Sequence, residues 1–447
     1  MVLGVGLALG LLTHGMYSVL DQEHYAIDTQ SYLVPAYHLL HGEGYVNVLH
    51  KPELRRTPGY PMLLVIFSVH PLRLEYLVLL QHALCVLLIV GVSAVALRYV
   101  GSSAALIAAA VLSVDFATLR IANLLMTEII AAMLIAAAAW ATYRVMTKPE
   151  NAVRVSAIAG FVGGCAALVR PISVFYFVPL SLCLILALKR RAFGPVLVLV
   201  VAFLILPLLW ATRNYIQGDY FGLSTIGAED LLYYRAAGAL AIEQPGTYLA
   251  NVARINLVLN EQTCPDLESQ YHRSCSRASE AEIASYATRK GVSIILSHPF
   301  SYLRSSLLSL AYIIFGGGAE ALSRVTDLSP RASEVTVLLF TIPEACLAVI
   351  GCWYWYRREA SLCGVLVLTV VYFLLISAGA EAYSRFRVPV MPMYSLLIAG
   401  GGVSIAQFLK SRIARTRSAV LTRPLQQPNS SYAGHNSISQ ILECRWM

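Results

Sequence analysis

Phe193-Gly194-Pro195-Val196-Leu197-Val198-Leu199-Val200-Val201-Ala202-Phe203-Leu204-Ile205-Leu206-Pro207-Leu208-Leu209-Trp210-Ala211 carries no charged side chain. Lys189-Arg190-Arg191 bounds it on one side and Arg213-Asn214-Tyr215 on the other. A helix of that length, at 1.5 Å per residue, reaches about 28 Å, close to the thickness of a hydrocarbon core. Every backbone group inside a bilayer must be satisfied within its own segment, so a helix is the form this run takes.

The same pattern recurs outward in both directions. Apolar runs lie at about 1–20, 72–97, 102–122, 124–146, 155–169, 172–188, 334–356, 361–378 and 389–408, with a further one at about 294–318. The chain has 447 residues, 57% of them hydrophobic and 13% charged, against about 25% charged in soluble domains. Its mean hydropathy is +0.65. These values predict an all-α polytopic membrane protein. The net charge of +8 then reads as topology and lipid contact; no basic soluble domain exists to bind nucleic acid.

Basic residues set the orientation. Arg98, the Arg144/Lys148/Arg154 group, Lys189-Arg190-Arg191, Arg357-Arg358 and the cluster from Lys410 to Arg417 are expected on the cytoplasmic side. Alternation satisfies all of them if 294–318 does not cross. That segment opens with His298-Pro299-Phe300-Ser301-Tyr302-Leu303-Arg304 and closes with Gly316-Gly317-Gly318, which suits a helix lying in the interface or re-entering. The expectation is about 10 transmembrane helices, with 10–13 possible, and both termini inside. The first run reads as an uncleaved span with no basic n-region, a few residues being missing upstream. A transmembrane domain is expected over 1–408 and a basic, disordered tail over 409–447.

This topology gathers the unusual polar residues on the outer face, in loops at about 21–71 and 212–333 and in shorter turns. Asp28-Thr29-Gln30-Ser31-Tyr32 precedes a helix-like stretch from Ser31 to Leu40, and Arg55-Arg56-Thr57-Pro58-Gly59-Tyr60-Pro61 follows it. Asp28 stands where that helix begins, so capping competes with a chemical role for its carboxylate. The two prolines fix the backbone beside Arg55 and Arg56, aiming a side chain suited to a bidentate grip on phosphate. Glu128, Arg170 before Pro171, Arg213, and Arg385 and Arg387 flanking Phe386 lie on the same face. Outer loops are ordinarily poor in arginine, so this set argues for an anionic ligand there.

Nine cysteines are scattered, and most sit inside apolar runs as small hydrophobes. Cys264 and Cys275 share a polar loop, where paired and unpaired states are both open. His24, His38, His41 and His50 are close in sequence, but their spacing fits no zinc pattern. No Walker loop or dinucleotide fingerprint is present. No metal or other cofactor is expected, a divalent ion between Asp28 and Glu128 being the one option left.

Asp28-x-x-Ser31-Tyr32, Leu39-Leu40-x-Gly42-x-Gly44-Tyr45 and Arg56-Thr57-Pro58-Gly59-Tyr60-Pro61 together resemble the first outer loop of GT-C glycosyltransferases. The group they are most similar to is the glycosyltransferase family 39-like enzymes, which include protein O-mannosyltransferases and the lipid A aminoarabinose transferase. Thr127-Glu128, Arg170-Pro171, Arg213-Asn214-Tyr215, His298-Pro299 and Arg385-Phe386-Arg387-x-Pro389 resemble later landmarks, so the likeness runs to about residue 408.

The resemblance implies transfer of a sugar from a polyprenyl phosphate to a lipid, glycan or protein acceptor. It places the protein in a bacterial inner membrane, with the site on the periplasmic face. Asp28 would be the catalytic base; Arg55, Arg56, Arg170, Arg213, Arg385 and Arg387 would hold the donor phosphate; Tyr32, Tyr60 and Glu128 would position substrate. The acidic pair common in this loop is absent, since Thr29 follows Asp28, which weakens any metal proposal. A lipid-linked sugar transporter would use the same arginines, but would want polar residues deep within spans. A polysaccharide polymerase or ligase is the nearer alternative.

Overall fold

The computed structural model describes residues 1–67 and 74–421. Among them the chain is helical throughout, with one isolated antiparallel bridge between Val46 and Pro52. In order the helices are α1 (Val2–Leu20), α2 (Thr29–Leu40), α3 (Gly59–Phe67), α4 (Leu74–Tyr99), α5 (Ser102–Val114), α6 (Phe116–Asn123), α7 (Glu128–Thr147), α8 (Ala152–Val169), α9 (Phe177–Leu188) and α10 (Phe193–Gly218). Then follow α11 (Ile226–Glu229), a π-helical turn (Asp230–Ala236), α12 (Ala237–Ala241), α13 (Tyr248–Tyr271) and α14 (Glu280–Ser297). The last five are α15 (Pro299–Phe315), α16 (Ala319–Val325), α17 (Pro330–Arg358), α18 (Ala360–Ile376) and α19 (Met391–Leu421).

Among the described residues nine helical segments are long and apolar enough to cross a membrane, or ten if α5 and α6 form one span bent by 53°. The bend falls at Asp115, whose carboxylate caps α6 by accepting from the Thr118 amide. All ten expected spans fall on helices, although α18, at 17 residues, is not among the nine. A core of small and aliphatic side chains, Ala105, Ala108, Ile129, Ala132, Leu366 and Leu397 among them, joins these helices. Leu87, Leu186, Leu209 and Val349 face outward, as a lipid-facing surface requires.

The segment α15–α16, expected not to cross, is one of these nine, and ion pairs tie both its ends to loops. At its start, His298 Nδ1 lies 3.1 Å from a Glu243 carboxylate oxygen, and Ser301 donates to the same oxygen at 2.5 Å. At its finish, Arg324 pairs with Glu23, just beyond α1. Gly316–Gly318 interrupts the helix between α15 and α16, but the two halves count together as one candidate span and not as a bent pair, so the expected re-entrant course is not seen at this break.

Residues Met1–Ser404 form one compact unit, and a second begins at Ile405. Residues 409–421, expected in a disordered tail, continue α19 as helix. The rest of that tail, 422–447, lies outside the described residues, as do 68–73. In the long segment after α10, the expected helical stretch at 276–291 falls largely on α14, which starts with a reciprocal capping box between Ser279 and Glu282. Cys264 and Cys275 are joined in a disulfide that ties the end of α13 to the turn before α14.

Candidate active site

The site is built where the loop between α1 and α4 meets three helix ends. Asp28 is the N-cap residue of α2, but its carboxylate makes no capping bond. Thr29 serves the local backbone instead, accepting from the Ala26 amide at 2.8 Å and donating to the Leu125 carbonyl at 3.3 Å. The Asp28 carboxylate is thereby free to face two guanidiniums. Oδ1 accepts from Arg56 Nη2 at 2.9 Å and Oδ2 from Arg385 Nη1 at 2.8 Å. Burial alone would raise the Asp28 pKa, but Arg385 and Arg56 outweigh it and hold the carboxyl below its usual range.

Arg56 is aimed by everything around its backbone. Its amide donates to Glu53 at 2.9 Å, and its carbonyl accepts from Tyr45 Oη at 3.0 Å. A side chain at Gly59 would come within 2.7 Å of the Leu168 carbonyl, so the Pro-Gly corner can lie directly against the end of α8. The Arg56 guanidinium donates to Tyr32 Oη at 3.1 Å and sits 4.5 Å above that ring. Tyr60 packs edge-on against Tyr32 and donates to Gln81 at 3.0 Å. Gln81 in turn holds the carbonyls of Ala122 and Leu124 at 2.9 and 2.7 Å, locking the loop to the turn before Glu128.

Glu128, fully buried at the start of α7, pairs with Arg170 Nη1 at 2.7 Å, and Arg385 Nε lies 3.8 Å from the same oxygen. Arg170 also donates to Thr127 Oγ1 at 3.0 Å. The Phe386 ring carries Arg170 and Arg385 at 5.2 Å each, and Tyr383 supports Arg385 at 4.7 Å. Asp28, Arg56, Glu128, Arg170 and Arg385 thus form one alternating chain of charge. The Nε–H groups of Arg56 and Arg385 are buried with no hydrogen-bond partner, leaving donors for an anion.

Three of the predicted phosphate ligands are engaged elsewhere. Arg55 pairs with Glu229 at 2.9 Å on the rim. Arg213 donates to the carbonyls of Glu53 and Tyr45, each at 2.7 Å, so it braces the loop that presents Arg56. Arg387 is buried against Asp115 and donates to the Ile314 carbonyl at 3.0 Å. In the 3₁₀ segment Ser384–Val390, positions 385 and 387 point to opposite partners. Tyr60 is fully buried behind Tyr32, a support for the site rather than part of its surface.

A divalent ion shared by Asp28 and Glu128 has no room in this arrangement, because the Arg385 guanidinium stands between the two carboxylates. From sequence, Thr127 and Phe386 stand out only as neighbours of Glu128 and of Arg385 and Arg387, and Tyr383 does not stand out at all; aromatic residues beside arginines were the available signal for Tyr383 and Phe386. The sequence reading also missed a second polar layer, where Arg235 donates to Glu381 at 2.9 Å and to the Ile376 carbonyl at 2.7 Å. Asp230 opens the π-helical turn in this layer; burial, then the Glu381 charge, push its pKa up to about 7.

No protein-family model and no curated protein matches the chain. Among solved structures it is similar to the archaeal oligosaccharyltransferase AglB from Archaeoglobus fulgidus, determined in complex with an inhibitory peptide and a dolichol-phosphate. The identity is 12% and the TM-score 0.51, over 97% of this chain and 52% of that one. The chain thus spans about half the length of that structure. With the helices and spans described above, this makes the fold that of an all-α, multi-pass membrane protein of the GT-C type.

Proposed function

We propose that the protein is a membrane glycosyltransferase that moves a sugar from a polyprenyl-phosphate donor to an acceptor hydroxyl or amide at the outer face of a bacterial inner membrane. Its site motifs resemble those of the family 39-like enzymes. The observation that carries this reading is the Asp28 carboxylate held between Arg56 and Arg385, with unpartnered Nε–H donors on both arginines. The site lies at the ends of α4, α7 and α8 opposite to those bearing Arg98, Arg144 and Arg154; those basic ends are the cytoplasmic ones by charge.

In the resting site Asp28 is a weak base, because two guanidiniums stabilise its ionised form. A donor phosphate competes for those guanidiniums. As Arg56 and Arg385 turn toward phosphate oxygens, Asp28 loses its partners and its proton affinity rises. The base is thus activated only when donor is present. Asp28 then takes the acceptor proton, and the acceptor atom forms a bond to the anomeric carbon. The bond from that carbon to the phosphate oxygen breaks, leaving polyprenyl phosphate with its negative charge facing Arg56, Arg385 and Arg170. Guanidiniums fixed in a water-poor site stabilise that charge without transferring a proton. Confinement of the donor to the membrane supplies proximity.

The test is turnover of a panel of radiolabelled polyprenyl-phosphate sugars by protein in lipid, wild type against Asp28→Asn. Transfer or release that requires Asp28 establishes the enzyme and names the donor. Binding of the same lipids by both proteins, with no turnover by either, overturns the reading in favour of a carrier.

A further inference from the structure

The first outer loop brings together three side chains that the sequence keeps apart. His38 lies in the last turn of α2. Gly42 and Gly44 follow with φ of +76° and +85°, the left-handed region that glycine enters without strain, and they reverse the chain. The Glu43 amide donates to the His38 carbonyl at 2.9 Å, which folds the Glu43 carboxylate onto His38 Nδ1.

Beyond Gly44 the loop closes on itself. The bridge between Val46 and Pro52 forms its neck. Asn47 Oδ1 accepts from the amides of Leu49 and Lys51 at 3.0 and 3.2 Å. His50 adopts a φ of +52°, its amide donating to the Asn47 carbonyl at 3.0 Å. A side chain of this size pays strain for that backbone. The result is to turn His50 back, so that Nδ1 stands 3.7 Å from Glu43 Oε2 and its ring centroid 4.6 Å from that of His38.

Ligand atoms of His38, Glu43 and His50 all lie within 4.8 Å of one another. Two imidazoles and one carboxylate, with a fourth position open to water, are the donor set of a zinc site. Bonds of about 2.0–2.2 Å in a tetrahedron place ligand atoms roughly 3.3 Å apart, so rotation of exposed Glu43 and His50 side chains closes the set. His41 is oriented away from the three, its Nδ1 facing the Tyr37 carbonyl at 2.8 Å.

We propose that His38, Glu43 and His50 form a binding site for a divalent transition-metal ion of the zinc type, separate from the arginine–carboxylate site. Its position gives it a structural use. The loop it would clamp carries Tyr45, which holds the Arg56 and Thr57 carbonyls at 3.0 Å each. An ion here braces the backbone that aims Arg56, without contacting the Asp28 carboxylate.

The experiment uses tag-free, full-length protein stripped with a chelator, then titrated with Zn²⁺ against a chromophoric competitor. The variants are Glu43→Gln and His50→Asn, with His24→Asn as a control histidine outside the cluster. Loss of a residue that only orients a ligand already costs roughly 10–100-fold in affinity. Either ligand variant is therefore expected to weaken the site by about 100-fold or more, while His24→Asn leaves one equivalent bound. Co²⁺ in the wild type should give the intense visible bands of a four-coordinate centre. Wild-type affinity no tighter than that of Glu43→Gln, or equal loss in His24→Asn, overturns the proposal and leaves an ordinary histidine–carboxylate pair. The readout is metal content, so it stands or fails independently of any transferase activity.

Discussion

Arg385 and Arg387 lie two residues apart in one short 3₁₀ segment, and replacing each with alanine should produce opposite phenotypes. Arg385 faces Asp28 and Glu128 at the site. A hydrogen bond to a charged group contributes about 1.5–3 kcal/mol. Loss of the Arg385 contact to a donor phosphate should weaken polyprenyl-phosphate binding by roughly 10–150-fold, at 1.4 kcal/mol per tenfold. The catalytic efficiency with a sugar-loaded donor should fall at least as far. Arg387 by contrast pairs with buried Asp115 and caps the Ile314 carbonyl, both inside the bundle. Removing it leaves a buried carboxylate without its cation, which costs about 3–5 kcal/mol of stability. Its effect on donor affinity in the folded fraction should be small. The assay pairs titration of lipid-reconstituted protein with sugar-free polyprenyl phosphate and a thermal melt of the same samples. Unchanged affinity in Arg385→Ala, or a larger affinity loss in Arg387→Ala, would refute the assignment of Arg385 to the phosphate.

Asp28→Asn should abolish turnover while retaining or tightening polyprenyl-phosphate binding, since the carboxylate that competes for Arg56 and Arg385 is gone; weaker binding would count against the proposed exchange of partners. Because the folded-state pKa of Asp28 is lowered, its stabilising effect is present above the ordinary carboxylate range and lost as pH falls through the lowered value. Melting temperatures of wild type and Asp28→Asn should therefore differ at neutral pH and converge in acid. Asp230 has the opposite sign: with its pKa raised to about 7, the folded state holds the extra proton, and stability falls as pH rises from about 4 to about 7. Asp230→Asn should melt higher than wild type near pH 8 and no differently near pH 4. The bond between Cys264 and Cys275, 11 residues apart, should contribute about 3 kcal/mol by loop closure. A Cys264→Ser/Cys275→Ser variant should lose hydrogen-exchange protection at the α13–α14 turn first, whereas uniform loss across the spans would contradict a local role.

Hydropathy alone determined the membrane-spanning architecture, because a bilayer accepts only segments that satisfy their own backbone and expose apolar side chains. Charge asymmetry led by the same logic to the expectation of a site at one end of the bundle, whereas the expected re-entrant course of 294–318 did not carry through, since α15–α16 counts as one candidate span. The local pattern around Asp28 and Arg56 also carried through, since prolines and glycines dictate backbone direction from within a few residues. Individual arginines were a different matter. Nothing in Arg385-Phe386-Arg387 says that one side chain faces Asp28 and the other Asp115, because the answer depends on elements about 270 to 360 residues away. Arg213 looked like a phosphate ligand until its donors were found on two carbonyls of the first loop. His38, Glu43 and His50 fit no linear spacing, and only the turns at Gly42, Gly44 and His50 bring their ligand atoms together. Burial and helix formation follow from the sum of local side chains, whereas the partner of a charge is chosen by long-range packing, and that choice belongs to the tertiary structure.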